Sequence, residues 1–394
     1  MKKILTLVLL VFILSFYSCK DKYEGIGSPS IVWATSITNT SYIASIQPII
    51  YKDKVFVSNV LDNGLNNIIV TLDKKTGKQL VETRVSPSVH SGIGQHYHFE
   101  DLLVFVNEFG IQCFDLNTSS IKWTMIERTS NVKQVDSVLF GLKNGKMVKF
   151  NMQTKEFKEL NISAGSVQDF WTSAVFYDAY KNKNQDVCMT YIDTRNPQQY
   201  VLVSVNLSNS TLICKANLTN NAGVKGGFAS FFKVKNDKVY FGNYDTLVCM
   251  NVQDGSFVWR QDLKRADYLY NKNYNNTGTE AFLGNTNLFI GTTNLNDSYL
   301  YAFDLLTGKQ AWRVKNEGLT GFSSLDDFYY YHKTLYYASE ELVAIDEDTG
   351  NIIWAFTNRA HTKSPVVFYM PPKGDDNLLY IAPTSKIMCI QAAQ

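Results

Sequence analysis

Ala302-Phe303-Asp304-Leu305-Leu306-Thr307-Gly308-Lys309-Gln310-Ala311-Trp312 decides the fold, because the chain writes it again at intervals of one structural unit. Ala344-Ile345-Asp346-Glu347-Asp348-Thr349-Gly350-Asn351-Ile352-Ile353-Trp354 repeats it almost letter for letter. Cys249-Met250-Asn251 through Asp254-Gly255 to Trp259 repeats it with conservative changes. An acid or amide four residues before a glycine can hydrogen-bond the turn backbone, and the glycine takes the positive φ that other residues resist. Tyr299 to Phe303 ahead of the turn and Lys309 to Val314 behind it have the apolar, aromatic and β-branched content of strands. The unit is a β-hairpin.

Counting eight residues forward from each acid or amide tests the register. Asp115 leads to Trp123, Asn251 to Trp259, Asp304 to Trp312 and Asp346 to Trp354. Weaker copies give Val81 after Asp73, Glu159 after Asn151 and Cys214 after Asn206, and Trp33 begins the array in the same kind of trailing strand. Five of the six tryptophans thus share one structural position, with Trp171 elsewhere. The predicted turns are those at Asp73 with Gly77, Asp115, Asn251 with Gly255, Asp304 with Gly308 and Asp346 with Gly350.

Upstream of each hairpin lies an apolar strand, such as Val55-Phe56-Val57, Val239-Tyr240-Phe241 or Leu379-Tyr380-Ile381, eight in all. A more variable strand precedes each, for example Phe228 to Val234, Thr279 to Leu283 and Pro365 to Tyr369. The turns fall at 73, 115, 151, 206, 251, 304 and 346, with Gln391 as a truncated last copy. Four strands in a period of about 45 residues, without helices, predict an all-β, eight-bladed β-propeller of four-stranded blades. Gln391 lacks a trailing strand and Trp33 lacks a leading one, so pairing of the N- and C-terminal strands closes the ring.

The Asp-x-x-Thr-Gly-x-x-x-Trp copies resemble the repeats of pyrroloquinoline quinone (PQQ)-type eight-bladed propellers, over nearly all of residues 31–394. That family includes quinoprotein dehydrogenases and cofactor-free lipoproteins such as the outer-membrane β-barrel assembly factor B. The resemblance implies that Trp33, Trp123, Trp259, Trp312 and Trp354 dock between neighbouring blades. It also implies that an enzyme of the family would hold a quinone and a calcium ion in the central funnel, often against a vicinal disulfide.

Residues 1–18 open with Lys2 and Lys3, continue through an apolar stretch from Ile4 to Leu14, and end in Ser15-Phe16-Tyr17-Ser18 before Cys19. This reads as a secretory signal, and a small residue directly before cysteine resembles a bacterial lipoprotein signal with Cys19 as the lipidated N-terminus. Phe16 and Tyr17 depart from the usual lipobox. Residues 19–30 read as a polar tether, in which Lys20-Asp21 resembles a surface-export signal with one acid where two are usual. The expected location is the envelope of a Gram-negative bacterium, as an outer-membrane lipoprotein on the periplasmic face or the cell surface.

Without residues 1–18 the chain carries 36 basic and 36 acidic side chains, which gives no electrostatic case for nucleic acid. Hydrophobic residues at 45% and aromatics at 13% describe a well-packed globular body, expected to be monomeric. Cys113, Cys249 and Cys389 stand two residues before the turn acid or amide, where Ala302 and Ala344 stand in other copies. They read as small core residues, and no disulfide framework is expected.

No catalytic residue emerges. There is no Gly-x-Ser-x-Gly elbow, phosphate loop or His-Glu-x-x-His. There is also no Cys-Cys pair and no compact acid cluster for calcium, and Asp326-Asp327 and Asp375-Asp376 read as solvated, so no cofactor is expected. His90, His96 and His98 form the densest histidine group, but Tyr97 and Phe99 between and beside them point to strand packing rather than zinc. Recognition has more to stand on. The stretch from Lys264 to Thr277 carries Arg265, Tyr268, Tyr270 and Tyr274, good anchors for a protein or glycan contact, with further insertions at Asn59 to Asn67 and Ile192 to Gln199. The expected function is a lipid-anchored, non-catalytic propeller that binds or scaffolds envelope proteins in outer-membrane protein assembly. The alternative is a divergent quinoprotein oxidoreductase, or a carbohydrate-active or glycan-binding propeller, using the central funnel.

Overall fold

The repeat turns explain how each hairpin closes. Thr76 N donates to Asp73 Oδ1 at 2.8 Å, Thr307 N to Asp304 Oδ1 at 2.7 Å and Thr349 N to Asp346 Oδ1 at 2.8 Å. The fifth residue then donates its amide back to the carbonyl of the first, as Gly308 does to Asp304 at 2.8 Å. That fifth residue has positive φ in every copy, whether it is Gly77, Ser119, Lys155, Ser210, Gly255, Gly308 or Gly350. Asn251 closes its turn differently. Its side-chain amide donates to Ser256 Oγ at 2.6 Å, and Asp254 accepts the Ser256 amide at 2.8 Å.

The computed structural model describes residues 26–37, 40–43, 47–61, 67–85, 95–107, 110–127, 129–143, 146–160, 177–193, 200–218, 228–243, 246–262, 281–292, 298–316, 328–338, 342–356, 371–383 and 386–393. Its strands form eight antiparallel sheets arranged as the blades of a propeller. Blade 1 contains Ile49–Tyr51, Lys54–Leu61, Asn67–Asp73 and Gln79–Val85, with Thr40–Ile43 also paired to its second strand. Blade 2 contains Gln95–Phe99, Leu102–Asn107, Gly110–Asp115 and Ser120–Met125. Blade 3 contains Ser130–Val135, Val138–Lys143, Lys146–Asn151 and Phe157–Glu159. Blade 4 contains Tyr177–Lys181, Val187–Asp193, Val201–Asn206 and Thr211–Asn217. Blade 5 contains Phe228–Lys235, Lys238–Asn243, Thr246–Asn251 and Phe257–Asp262. Blade 6 contains Ala281–Leu283, Asn287–Thr292, Ser298–Asp304 and Gln310–Asn316. Blade 7 contains Phe328–Tyr331, Thr334–Ala338, Leu342–Asp346 and Ile352–Phe356.

Blade 8 joins the two ends of the chain. Lys373–Asp375, Leu378–Ile381 and Lys386–Gln391 come from the C-terminal side, and Ile31–Ser36 supplies the outer strand with Trp33 across from Cys389. Ahead of that strand Gly27 bridges Trp354, and Ser28 Oγ donates to Ala355 O at 3.2 Å, so the chain touches blade 7 before it closes blade 8. Lys74 of blade 1 completes the seam through ion pairs with Asp375 and Asp376, the latter at 3.1 Å. Asp375-Asp376 thus forms an inter-blade clasp, while Asp376 keeps 79% of its side chain exposed, as expected of a solvated acid.

Two strand assignments differ from the sequence reading. A bulge before each tryptophan places it opposite the residue two before the turn acid or amide: Trp259 opposite Cys249, Trp312 opposite Ala302 and Trp354 opposite Ala344. Blade 3 has no such bulge in its outer pair, so Lys158 lies across from Lys149 and Glu159 slips to Val148. Glu159 therefore does not occupy the tryptophan position. In blade 8 the innermost strand is Lys373–Asp375, whereas Pro365 to Tyr369 lies outside the described residues.

The core lies between blades. Trp33, Trp259, Trp312 and Trp354 are each at least nine-tenths buried, packed with the second- and third-strand apolar residues of their own and the following blade. Burial of such a side chain contributes on the order of 2–3 kcal/mol. No helix among the described residues is long and apolar enough to cross a membrane.

Candidate functional site

Three indoles meet the next blade in the same way. Trp33 Nε1 donates to Lys74 O at 3.1 Å, Trp259 Nε1 to Leu305 O at 3.0 Å and Trp312 Nε1 to Glu347 O at 2.8 Å. Each acceptor directly follows a turn acid, and each indole lies against the glycine that ends that turn. A Cβ built on Gly77, Gly308 or Gly350 would come within 2.6 Å of the ring. Trp123 meets Phe150 edge-on at 5.5 Å and Lys155, which stands where others have glycine and puts its ammonium 5.8 Å from the ring centroid. Trp354 packs on Ala392 and Ala393 beyond the truncated copy.

Glu347 forms a second inter-blade contact that the repeat pattern conceals. It is 1% exposed, and its carboxylate accepts Thr286 N at 3.1 Å, Thr286 Oγ1 at 3.2 Å and the Tyr330 hydroxyl. Its own carbonyl accepts Asn287 Nδ2 at 3.1 Å in addition to the Trp312 indole. Burial first, and then the adjacent carboxylate, push the Tyr330 phenol above its ordinary range. Lys235 of blade 5 extends the contact by donating to Gly284 O.

The innermost strands carry the other ionisable groups. Residues paired directly across antiparallel strands share a face of the sheet. The row that holds the tryptophans can therefore be followed inward through each blade. It ends on Ile49, Tyr97, Lys133, Asp178, Lys233, Phe282, Tyr329 and Lys373, through their partners Phe56, Val104, Phe140, Thr190, Tyr240, Phe289, Tyr336 and Tyr380. These eight residues form one level of an inner ring, facing the following blade as the indoles do. Asp178 Oδ2 accordingly accepts Val234 N of blade 5 at 2.9 Å. Burial raises the Asp178 pKa, while that hydrogen bond and then Lys133 and Lys233 oppose the rise.

His96 and His98 sit one residue to either side of this row, on the opposite face of the strand, and Lys373 carries the row in blade 8. His98 Nε2 lies 2.8 Å from Glu100 O, and Lys373 Nζ lies 5.6 Å from the Tyr329 ring centroid. His96 keeps some exposed surface, yet burial, with smaller contributions from His98 and Lys373, pushes its pKa down to about 4. Burial likewise lowers Lys373, against the pull of Asp375. His96 and Lys373 are half-buried, whereas His98 is exposed.

This ring does not fit the calcium site that a quinoprotein needs, which calls for converging oxygen donors. Its one carboxylate is flanked by lysines, and among the described residues no group of three or more His, Cys, Asp or Glu side chains could hold a metal ion. His96 and His98 lie together, whereas His90 is outside the described residues, as are Cys19, Arg265, Tyr268, Tyr270, Tyr274, Trp171 and Asp326-Asp327. Cys113, Cys188, Cys214, Cys249 and Cys389 are buried free thiols, and burial raises Cys249 to about 12 and Cys389 to about 11. The sequence reading missed Lys133, Asp178, Lys233, Lys373 and Glu347. Aligning the inner turns at Asp136-Ser137, Asn236-Asp237 and Asp376-Asn377 would have brought the three lysines into one column.

Eight four-stranded blades, a strand that closes them from both ends and indoles seated on the next blade's turn define the class: an eight-bladed β-propeller with PQQ-like repeats. Within that class, residues 198–355 and 296–393 match the family described as outer membrane protein assembly factor BamB. Among solved structures, BamB from Moraxella catarrhalis is similar at 11% identity and TM-score 0.49, over 93% of this chain and 98% of that one. A quinohemoprotein alcohol dehydrogenase from Pseudomonas putida HK5 is similar at 8% identity and TM-score 0.56, over 95% of this chain and 78% of that one. The quinohemoprotein alcohol dehydrogenase of Comamonas testosteroni gives 9% identity and TM-score 0.59, over 93% and 77%. At these identities the likeness to the two dehydrogenases is one of fold. No curated protein matches the sequence.

Proposed function

We propose that the protein is an exported, lipid-anchored propeller that binds or scaffolds protein partners in the cell envelope during outer-membrane protein assembly. The observation that carries this reading is the match of residues 198–355 and 296–393 to the assembly-factor family. Residues 1–18 act as the export signal, and Cys19 carries the lipid, each buried methylene contributing about 0.8 kcal/mol to membrane binding. Residues 20–25 link that anchor to the propeller. The repeated acids, glycines and tryptophans serve blade packing, which leaves the residues that differ between blades to recognise a partner. Arg265, Tyr268, Tyr270 and Tyr274 are the proposed contact residues, since arginine and tyrosine make strong interface anchors.

Mild-detergent capture of the intact protein from envelopes, with Cys19→Ala as control, tests this reading. Mass spectrometry should recover a stoichiometric envelope protein with the intact chain, and less of it when the anchor is lost. Recovery of a bound quinone with calcium, and of no protein partner, would overturn it in favour of a quinoprotein oxidoreductase.

A further inference from the structure

The N-terminal stretch joins the propeller at one defined place. Gly27 bridges Trp354 in parallel, and Ala355 N donates to Gly27 O at 3.2 Å, so residues 26–28 follow the outer strand of blade 7 in its own direction. That strand, Ile352–Phe356, begins at the turn that Asp346 and Gly350 close, and the chain ahead of Ile26 therefore leaves toward the turns. The turns form one rim. Within blades Leu305 N donates to Thr286 O at 2.8 Å and Glu347 N to Lys333 O at 3.0 Å, and between blades Trp312 Nε1 donates to Glu347 O. From Cys19 to Ile26 the chain spans at most about 25 Å. Clearing the rim from the level of Ile353 takes up about 10 Å of this. The opposite rim carries the connections 317–327 and 357–370, so an anchor on that side would have to fold back and pass them.

Leu306 is an independent observation. The second residue after the turn acid or amide is polar in Lys75, Asn117, Gln153, Ser208, Gln253 and Asp348, whereas in blade 6 it is this leucine, 72% exposed on its turn. Ile353 of blade 7, and Ile31 and Val32 of blade 8, are exposed on the outer strands next to the same rim. Charges around them are mixed, with exposed Lys309 and Lys333 near exposed Asp348, so an anionic surface is not called for.

We propose that the turn rim at blades 6–8 lies on the lipid bilayer, with Leu306, Ile353, Ile31 and Val32 in its headgroup region. A short tether keeps these side chains close to lipid, so that even a small apolar surface gains contact. The inference rests on lipidation of Cys19 and deepens the scaffold reading. Asp262, the last described residue before Arg265, Tyr268, Tyr270 and Tyr274, ends its strand at the opposite rim, which is left open to protein partners.

The test is fluorescence quenching in proteoliposomes. Full-length protein, purified from membranes in mild detergent and checked by mass spectrometry for lipid on Cys19, is reconstituted into phosphatidylcholine vesicles with or without nitroxide-labelled acyl chains. Leu306→Cys and Ile353→Cys, each carrying a polarity-sensitive fluorophore, are compared with Asp262→Cys. Cys113, Cys188, Cys214, Cys249 and Cys389 are buried and stay unlabelled. The labels at Leu306→Cys and Ile353→Cys should lose at least about half of their intensity in nitroxide vesicles, and the label at Asp262→Cys should keep its own. Equal or stronger quenching at Asp262→Cys, or none at any site in protein that floats with the vesicles, would overturn the proposal and leave the scaffold reading standing. Absence of lipid on Cys19 would sink the anchor and this inference together, while capture from envelopes would still decide whether a protein partner is bound.

Discussion

Gly350→Ala is the sharpest probe of how the blades hold together, because two separate costs coincide at that residue. Gly350 has φ +74°, and a Cβ there would stand 2.5 Å from Trp312 Cδ2 and 2.8 Å from Cε3 and Cγ. A left-handed conformation costs a non-glycine residue about 1–2 kcal/mol. Overpacking against an indole that is 8% exposed and anchored by a 2.8 Å hydrogen bond to Glu347 O adds about 1–3 kcal/mol. The single variant should therefore lose about 2–5 kcal/mol, the sum of these two contributions. Trp312→Ala alone should lose about 3–5 kcal/mol. In the Trp312→Ala background the clash has no partner, so Gly350→Ala should cost only the conformational part, and the cycle should show a coupling of about 1–3 kcal/mol.

Urea unfolding of the four proteins measures this, with midpoint and slope both fitted because a molecule of this size can leave two-state behaviour. Gly255→Ala with Trp259→Ala is the control. Gly255 faces Ala216 Cβ at 2.3 Å and Cys214 Sγ at 2.9 Å, whereas Trp259 faces Gly308. Those two substitutions should add to within about 0.5 kcal/mol. Equal costs for Gly350→Ala with and without the Trp312 indole would refute the argument that the glycine is there to admit the ring.

Other consequences are open to similar measurement. Glu347→Ala should lower stability by about 3 kcal/mol, since it leaves the Thr286 hydroxyl and Tyr330 hydroxyl without their acceptor. Glu347→Gln should lose less, and equal loss by both would count against a carboxylate-specific lock. His96 has a folded pKa of about 4, below the ordinary 6.5, so the unfolded chain takes up the proton first. Its contribution should be full above pH 6.5 and should fall as the pH drops toward about 4, by at most about 3 kcal/mol, and His96→Gln should flatten that part of the stability curve. Lys74→Met, which removes both ion pairs of the closing seam, should cost about 1 kcal/mol at low salt and less at high salt. An effect independent of salt would show that Lys74 acts through its aliphatic stem.

The repeat was legible because aspartate, glycine and tryptophan each do a local job that admits few substitutes. Asp304 accepts turn amides, Gly308 supplies positive φ, and Trp259 of the previous blade fills the space a Cβ would take. Counting failed where a backbone irregularity had no letter of its own, as in blade 3, where the missing bulge moved Glu159 by one position. The innermost strands were harder still. Their composition follows what faces the ring rather than the repeat, so Lys373–Asp375 was overlooked in favour of a more strand-like stretch upstream. Glu347 was hidden by its position. The residue after the turn acid or amide is apolar in Leu116, Met152, Leu207, Val252 and Leu305, and the two charged exceptions, Lys74 and Glu347, tie blades together through their side chains.

A division of labour follows along each row of the propeller. At its outer end the indole and the next blade's turn meet through the same atoms at Trp33, Trp259 and Trp312, and there any change meets the packing costs argued for Gly350. At its inner end the same row carries isoleucine, phenylalanine, tyrosine, lysine or aspartate, because the inner strand borders on the ring as well as on its neighbours. Where the indole contact occurs it ties one blade to the next, and the inner residue of the same row differs from blade to blade. Under the proposed scaffold function, recognition is to be read from positions where the blades disagree, and Lys133, Asp178, Lys233, Lys373 and His96 are such positions.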